Sequence, residues 1–226
     1  MKIAIFTLCK NRLEYTKLFM ESLEAKTHIP FDHYILDQGS TDGTIKYLSN
    51  FKKKSGNLYL FPLPKNIGIN RGFNFLLDKI NNYDVITPLD NDALILTDAW
   101  LEKCIGVLRP KLLISPFVEG LIINRDGINR VGYDKESNIG FTPAIGGICM
   151  IGLAKTWKED IGVLEFPTPY HSNMDMTVCF RLYLKGYKFG YKEDVIIRHL
   201  DTTLGQEKKY KDYFMLRKTI EKTKII

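Results

Sequence analysis

The chain has 226 residues, of which 45% are hydrophobic and 26% charged, with a formal net charge of +6. That length suits one well-buried α/β domain and is short for two, and the composition excludes disorder as the default. The charge suits an anionic partner, but with no Cys/His finger and no RNA-binding aromatic signature a nucleic acid is not expected.

Ile3 to Leu8 is a short apolar run, as expected of a strand covered on both faces. Leu13, Thr16, Met20 and Leu23 follow at helical spacing. Tyr34-Ile35-Leu36 reads as a second strand ending at Asp37, and Thr44, Ile45, Leu48 and Phe51 as a second helix. Leu58 to Phe61 is a third strand, and Phe73, Leu76, Leu77 and Ile80 give an i, i+3, i+4, i+7 helical stripe. Val85 to Leu89 is a fourth strand, although Pro88 removes a ladder donor there. Leu101, Cys104, Ile105 and Leu108 mark another helix. Strand and helix in alternation predict right-handed crossovers and a mainly parallel sheet.

After Lys111 the pattern becomes mixed. Leu112 to Pro116 predicts a strand. Leu121-Ile122-Ile123 and Val131-Gly132-Tyr133, flanking Asp126-Gly127, predict a small hairpin. A helix is expected from Met174 to Lys185 with Gly186 as its stop, then strands at Tyr187 to Tyr191 and Val195 to Leu200. From Gln206 the chain is basic and helix-prone, with Tyr210, Tyr213, Phe214 and Arg217 at helical spacing. This is either a helix docked on the domain or a peripheral membrane contact.

No apolar run approaches the about 18 residues of a membrane span. The N-terminus, Met1 to Phe6, is too short an apolar stretch for a signal peptide, so a cytoplasmic protein is expected, with peripheral membrane contact through 206–226 as an option. Cys9, Cys104, Cys149 and Cys179 are far apart, without C-x-x-C spacing, and read as buried free thiols.

Ligands of an open parallel sheet bind beyond the carboxyl ends of its strands. Four polar groups fall there: Thr7 with Lys10-Asn11-Arg12, Asp37 to Gly43, Asn66 to Gly72, and Asp90-Asn91-Asp92. They should converge on one edge. A dinucleotide fingerprint and a P-loop are both absent from the sequence. Two carboxylates at i and i+2 repel unless a cation lies between them, and oxygen ligands suit Mg²⁺ or Mn²⁺.

The ordered set Asp37-x-Gly39-Ser40-x-Asp42-Gly43, Asn66-x-Gly68-x-x-x-Gly72-x-Asn74 and Leu89-Asp90-Asn91-Asp92 resembles the family-two glycosyltransferases of the GT-A fold. The likeness continues through Gly146-Gly147 and Asn173-Met174-Asp175 to Arg181-Leu182 and ends near His199. It implies a single α/β domain over 1–205, with a Rossmann-like, mostly parallel sheet, a nucleotide-binding half (1–110) and a mixed acceptor half (111–205). The last segment, 206–226, stands apart as a basic helix.

The resemblance also implies roles. Asp37 would accept a hydrogen bond from the donor's base. Thr7 and Arg12 would line the nucleotide pocket, with Gly39, Asn66, Gly68, Arg71 and Asn91 in the loops around the donor. Asp92 would ligate Mn²⁺ or Mg²⁺. Asp90 would serve the metal or the ribose, and His199 the metal or diphosphate, unless it is a structural histidine. Gly147 would admit the sugar or acceptor closely, and Asp175 would be the catalytic base. Met174 and Thr177 depart from the acids usual in relatives, so the base rests on Asp175 alone.

The expected activity is inverting, metal-dependent transfer of a sugar from a nucleotide diphosphate donor to a hydroxyl of a glycan, glycolipid or glycoprotein. UDP is the first expectation for the nucleotide, with GDP and dTDP as alternatives. The rival readings are a non-catalytic nucleotide-sugar-binding module and a sugar nucleotidyltransferase. The latter would need a glycine-rich loop that Leu8-Cys9-Lys10-Asn11-Arg12 lacks.

Overall fold

The computed structural model describes residues 1–54, 56–120, 130–164 and 174–201. The elements run β1 (Ile3–Cys9), α1 (Leu13–Lys26), β2 (Asp32–Asp37), α2 (Thr44–Asn50), β3 (Leu58–Pro62), α3 (Ile69–Lys79), β4 (Val85–Pro88), β5 (Ala93–Ile95) and α4 (Trp100–Ile105). There follow β6 (Leu112–Glu119), β7 (Gly132–Asp134), β8 (Ile139–Thr142), β9 (Gly152–Leu153), a π-helical turn at Thr156–Ile161, α5 (Met174–Tyr183) and β10 (Lys188–His199).

The first sheet has the order β3-β2-β1-β4-β9, parallel except for β9. In the second, β10 pairs with β6 on one side and with β5 and β8 on the other, and β7 pairs with β8. A bridge between Ile114 and Ile151 joins the sheets. The class is therefore α/β with a mostly parallel sheet and a mixed second half, as the sequence predicts.

Period-two alternation explains the apolar run of β1. Ile3 and Ile5 enter a layer with Phe19, Met20 and Leu23 of α1, Leu48 of α2 and Trp100 of α4. Ala4 and Phe6 enter the opposite layer with Phe73 and Leu76 of α3 and Val178 and Leu182 of α5. Both faces are buried, so the strand carries no polar alternation until its end. At Gly72 a Cβ would meet Leu8 Cδ2 at 3.0 Å and Leu36 Cδ2 at 3.2 Å, so the glycine lets α3 lie close on the sheet.

Pro88 fits the sheet because of where its nitrogen points. The amide of Leu89 donates to Phe6 on the β1 side, and that of Asp90 to Ile148 on the other. Alternation turns Pro88 toward the 148–150 segment, where its carbonyl still accepts from Met150. One donor is lost and the flanking bonds hold the register.

Two details differ from the sequence reading, and two segments of that reading are not covered by the described residues. The described hairpin is β7–β8; the 121–123 arm and the Asp126-Gly127 turn lie outside the described residues, as does 206–226. The two late strands are one, β10, with a register shift between Lys192 and Ile196 that interrupts the apolar pattern. The short β5 and β9 and the π-helical turn carry too few residues for a periodic signal. The four cysteines are free and buried.

Candidate active site

Three loops lock together beyond the carboxyl ends of β1, β2 and β3. Asn11 and Arg12 are consecutive left-handed residues, with φ of 57° and 66°. Such strain in non-glycine residues persists only where neighbours over-determine it. Here the Asn11 amide donates to Ser40 Oγ at 2.6 Å, and Asn11 Oδ1 accepts the Thr41 amide at 2.8 Å. Lys10 Nζ donates to the Gly39 carbonyl. Asp42 accepts from the Leu13 amide at the start of α1 and from Thr44 at the start of α2, placing one carboxylate at two helix N-termini.

Asp37 is fully buried. Its Oδ1 accepts the amides of Gly39 (3.0 Å) and Ser40 (2.8 Å), while Oδ2 is buried with no hydrogen-bond partner. A turn alone needs one oxygen, and the second is a bare acceptor. Gly39 has φ +80°, and a Cβ there would lie 2.9 Å from the Pro64 carbonyl oxygen, so only glycine passes between the loops.

The turn after β4 carries the acidic group. Asp92 is 1% exposed and its Oδ2 lies 2.7 Å from Arg12 Nη1 and 3.3 Å from His199 Nε2. Arg12 Nη2 also reaches Asp201 Oδ2 at 3.1 Å. Asp92 Oδ1 and His199 Nδ1 are buried without hydrogen-bond partners. Burial, and then the charge of Asp92, raise the Asp90 carboxyl well above its ordinary range; His199 and Arg12 oppose that shift and Asp175 adds to it. Burial alone would lower His199, but the hydrogen bond and charge of Asp92 outweigh it and its pKa is raised.

Asp175 opens α5 opposite the Gly146-Gly147 backbone. A Cβ at Gly147 would lie 3.4 Å from Asp175 Cβ, and the Gly146 amide donates to the Tyr191 hydroxyl at 3.1 Å. Asp175 is near enough to Asp90 to act on its titration, so β4, α5 and β10 contribute to one charged group.

Other residues expected around the donor are placed differently. Thr7 is 1% exposed and donates to the Leu89 carbonyl at 2.8 Å, with His33 Nε2 at 2.9 Å. It follows Ile3 and Ile5 at period two, which turns it into the α1 layer rather than toward the loops. Asn91 is 5% exposed and donates to Thr16 Oγ1 (3.0 Å) and Cys9 Sγ (3.3 Å), tying the acidic turn to α1. Asn66 Oδ1 accepts the Gly68 amide at 2.7 Å, and Gly68 has φ +86°, so these two shape the entry to α3. Arg71 is exposed on the first turn of α3.

Two residues that sequence reasoning does not single out belong to this region. Asp201 lies just past the end of β10, where the strand-end rule could have found it. Asn70, on the first turn of α3, is 4% exposed with both side-chain polar atoms lacking hydrogen-bond partners. No sequence signal separates it from an exposed helix-start asparagine.

Asp90, Asp92 and His199 carry donor atoms of the kind a divalent cation takes, and Asp92 Oδ1 is an oxygen without a hydrogen-bond partner. Among the described residues no three His, Cys, Asp or Glu side chains gather closely enough to hold an ion unaided. A cation held here would need substrate phosphates to complete its shell.

The family model of glycosyl transferase family 2 matches residues 4–187. A comparison with curated protein sequences gives no match. Among solved structures, mannosyltransferase PcManGT from Pyrobaculum calidifontis in complex with GDP-Man and Mn²⁺ is similar, with TM-score 0.70 and 15% identity over 90% of this chain and 58% of that one. GalNAc-T7 with UDP, GalNAc and Mn²⁺ gives TM-score 0.69 and 12% identity over 90% and 44%. S. aureus TarS 1-349 with UDP-GlcNAc gives 0.58 and 20% over 89% and 57%. The chain thus spans about half the length of these proteins, and at such identities the likeness is one of fold.

Proposed function

The chain belongs to glycosyl transferase family 2, and from that membership we propose that it moves a sugar from a nucleotide diphosphate donor to an acceptor hydroxyl with inversion, aided by Mn²⁺ or Mg²⁺. UDP is the first candidate nucleotide and GDP or dTDP the others; the acceptor belongs to a glycan, glycolipid or glycoprotein. The observation that carries the reading is the buried Asp92 with one oxygen bare, beside Asp90 and His199, at the strand ends.

In this reading Asp37 Oδ2 accepts the base N–H, and the loops around Gly39, Asn66 and Gly68 hold the nucleotide. A divalent ion held by Asp92 and Asp90, with His199 beside them, would neutralise charge on the departing diphosphate. Arg12 holds Asp92 in place through a bond of 2.7 Å and supplies positive charge to the same region. Asp175 takes the acceptor's proton as its oxygen attacks the face of the sugar opposite the nucleotide, and the missing Cβ at Gly147 leaves room for that approach. The fold likeness to structures holding GDP-Man, UDP or UDP-GlcNAc, two of them with Mn²⁺, supports the donor and metal classes.

Isothermal titration with UDP-, GDP- and dTDP-sugars, with Mn²⁺ and with EDTA, tests this. One donor should bind in a metal-dependent way, and Asp92→Ala should weaken that binding at least about 100-fold. Binding indifferent to both EDTA and Asp92→Ala would sink the proposal.

A further inference from the structure

Helix α5 is apolar on two sides, and among the described residues only one is covered. Met174, Val178, Cys179 and Leu182 pack into the core. Met176, Phe180, Tyr183 and Leu184 fall at i, i+4, i+7 and i+8 on another side and are 58%, 63%, 67% and 69% exposed. Val163, 63% exposed, adjoins the helix, since its carbonyl accepts from Arg181 Nη1 at 2.6 Å. A contiguous row of large apolar side chains in water marks an interaction surface.

Cations stand at the end of this row. Beyond the C-terminus of α5 lies a depression of 180 Å³ lined by Arg109, Lys111, Gly186 and Lys188. Lys185 stands beside it: its Nζ is 3.5 Å from Asp160 Oδ1, and Lys111 Nζ is 3.8 Å from Asp160 Oδ2. Arg109 meets Asp134 at 3.4 Å. Four cations against two carboxylates leave the rim positive.

We infer that this face docks on an anionic phospholipid surface, the apolar stripe entering the headgroup boundary and the rim cations meeting lipid phosphates. Charge complementarity selects this occupant. A second copy docked stripe to stripe, in the antiparallel sense of a two-fold contact, would cover the row but leave both cationic rims without an anionic partner, whereas an anionic bilayer satisfies apolar row and cations at once. From Asp175 to Leu184 the helix axis rises about 14 Å, so docking α5 holds the Asp175 end near the lipid. Combined with the proposed transferase reading, on which this step rests, the acceptor is a hydroxyl carried by a membrane-held lipid.

Co-sedimentation of the full chain with vesicles needs neither donor nor metal, so its failure is separable from failure of the transferase reading. The chain should sediment with phosphatidylcholine–phosphatidylglycerol vesicles and far less with phosphatidylcholine alone. F180E/L184E should lower partitioning about tenfold or more while circular dichroism stays unchanged. K185E/K188E should remove the preference for anionic vesicles. The inference is overturned by no sedimentation with anionic vesicles, by F180E/L184E binding like the parent, or by loss of binding only on charge reversal within 206–226. It is equally overturned if F180E/L184E converts a dimer to monomer with lipid binding intact.

Discussion

Asp90 and Asp92 sit two positions apart, yet their environments divide them. Asp92 is charge-paired with Arg12, whereas Asp90 has its carboxyl raised by burial and by Asp92. An acid raised in the folded state holds its proton to higher pH than the unfolded chain does, so stability falls as pH climbs from about 4 through the raised value. His199 acts in the same direction: its raised pKa gives a contribution fully present below about pH 6.5 and lost as pH rises through the folded value. Metal-free protein should therefore lose thermal stability between pH 5 and 8, as read by scanning calorimetry at about one-unit steps. Asp90→Asn should flatten that decline and raise the melting temperature at pH 8 by about 2–4 °C, the shift of roughly 1 kcal/mol in a chain of this size. Mn²⁺ should stabilise most at the alkaline end, where it competes with fewer protons. At the acceptor side, Asp175→Asn should lower kcat about 10²- to 10⁴-fold with donor affinity retained in titration; unchanged turnover would remove Asp175 as the base.

At the scale of elements, α3 shows how a helix both builds the core and holds a loop. Its stripe of Phe73, Leu76 and Leu77 is legible in the sequence because burial follows the helical period. What Asn74 does is not, because its partner is ninety positions away. Nδ2 donates to the Leu164 carbonyl at 2.9 Å, and Oδ1 accepts the Leu164 amide at 2.9 Å. Asn74→Ala should cost about 1–3 kcal/mol in urea denaturation, since the Leu164 backbone loses both partners. It should also raise the acceptor KM more than the donor KM, because Leu164 leads toward α5. β10 makes the reverse case: its bulge breaks the period, so sequence reading divides one strand into two.

Across the whole molecule, Arg12 connects parts that the chain keeps far apart. It leaves β1 of the first sheet and meets Asp92 after β4 and Asp201 after β10 of the second sheet. Arg12→Ala would leave two buried carboxylates, 1% and 3% exposed in their side chains, without that cation. The expected loss is about 3 kcal/mol, seen as a lower denaturation midpoint with unchanged slope, and partly recovered by Mn²⁺. A midpoint within experimental error of the parent would show that the pairs contribute nothing to stability.

The sequence by itself determined the α/β class, the order of elements through β4, and the strand-end address of Asp37, Asp90 and Asp92. These follow from local periodicity and from a rule about where parallel strands end. Only the tertiary structure decided which polar residues face the site. Thr7 and Asn91 lie within the motifs but turn into the core, while Asp201 joins from a distant strand. The reason is physical: a side chain's direction is fixed by the alternation and packing of its own element, whereas its partners are fixed by how the two sheets meet.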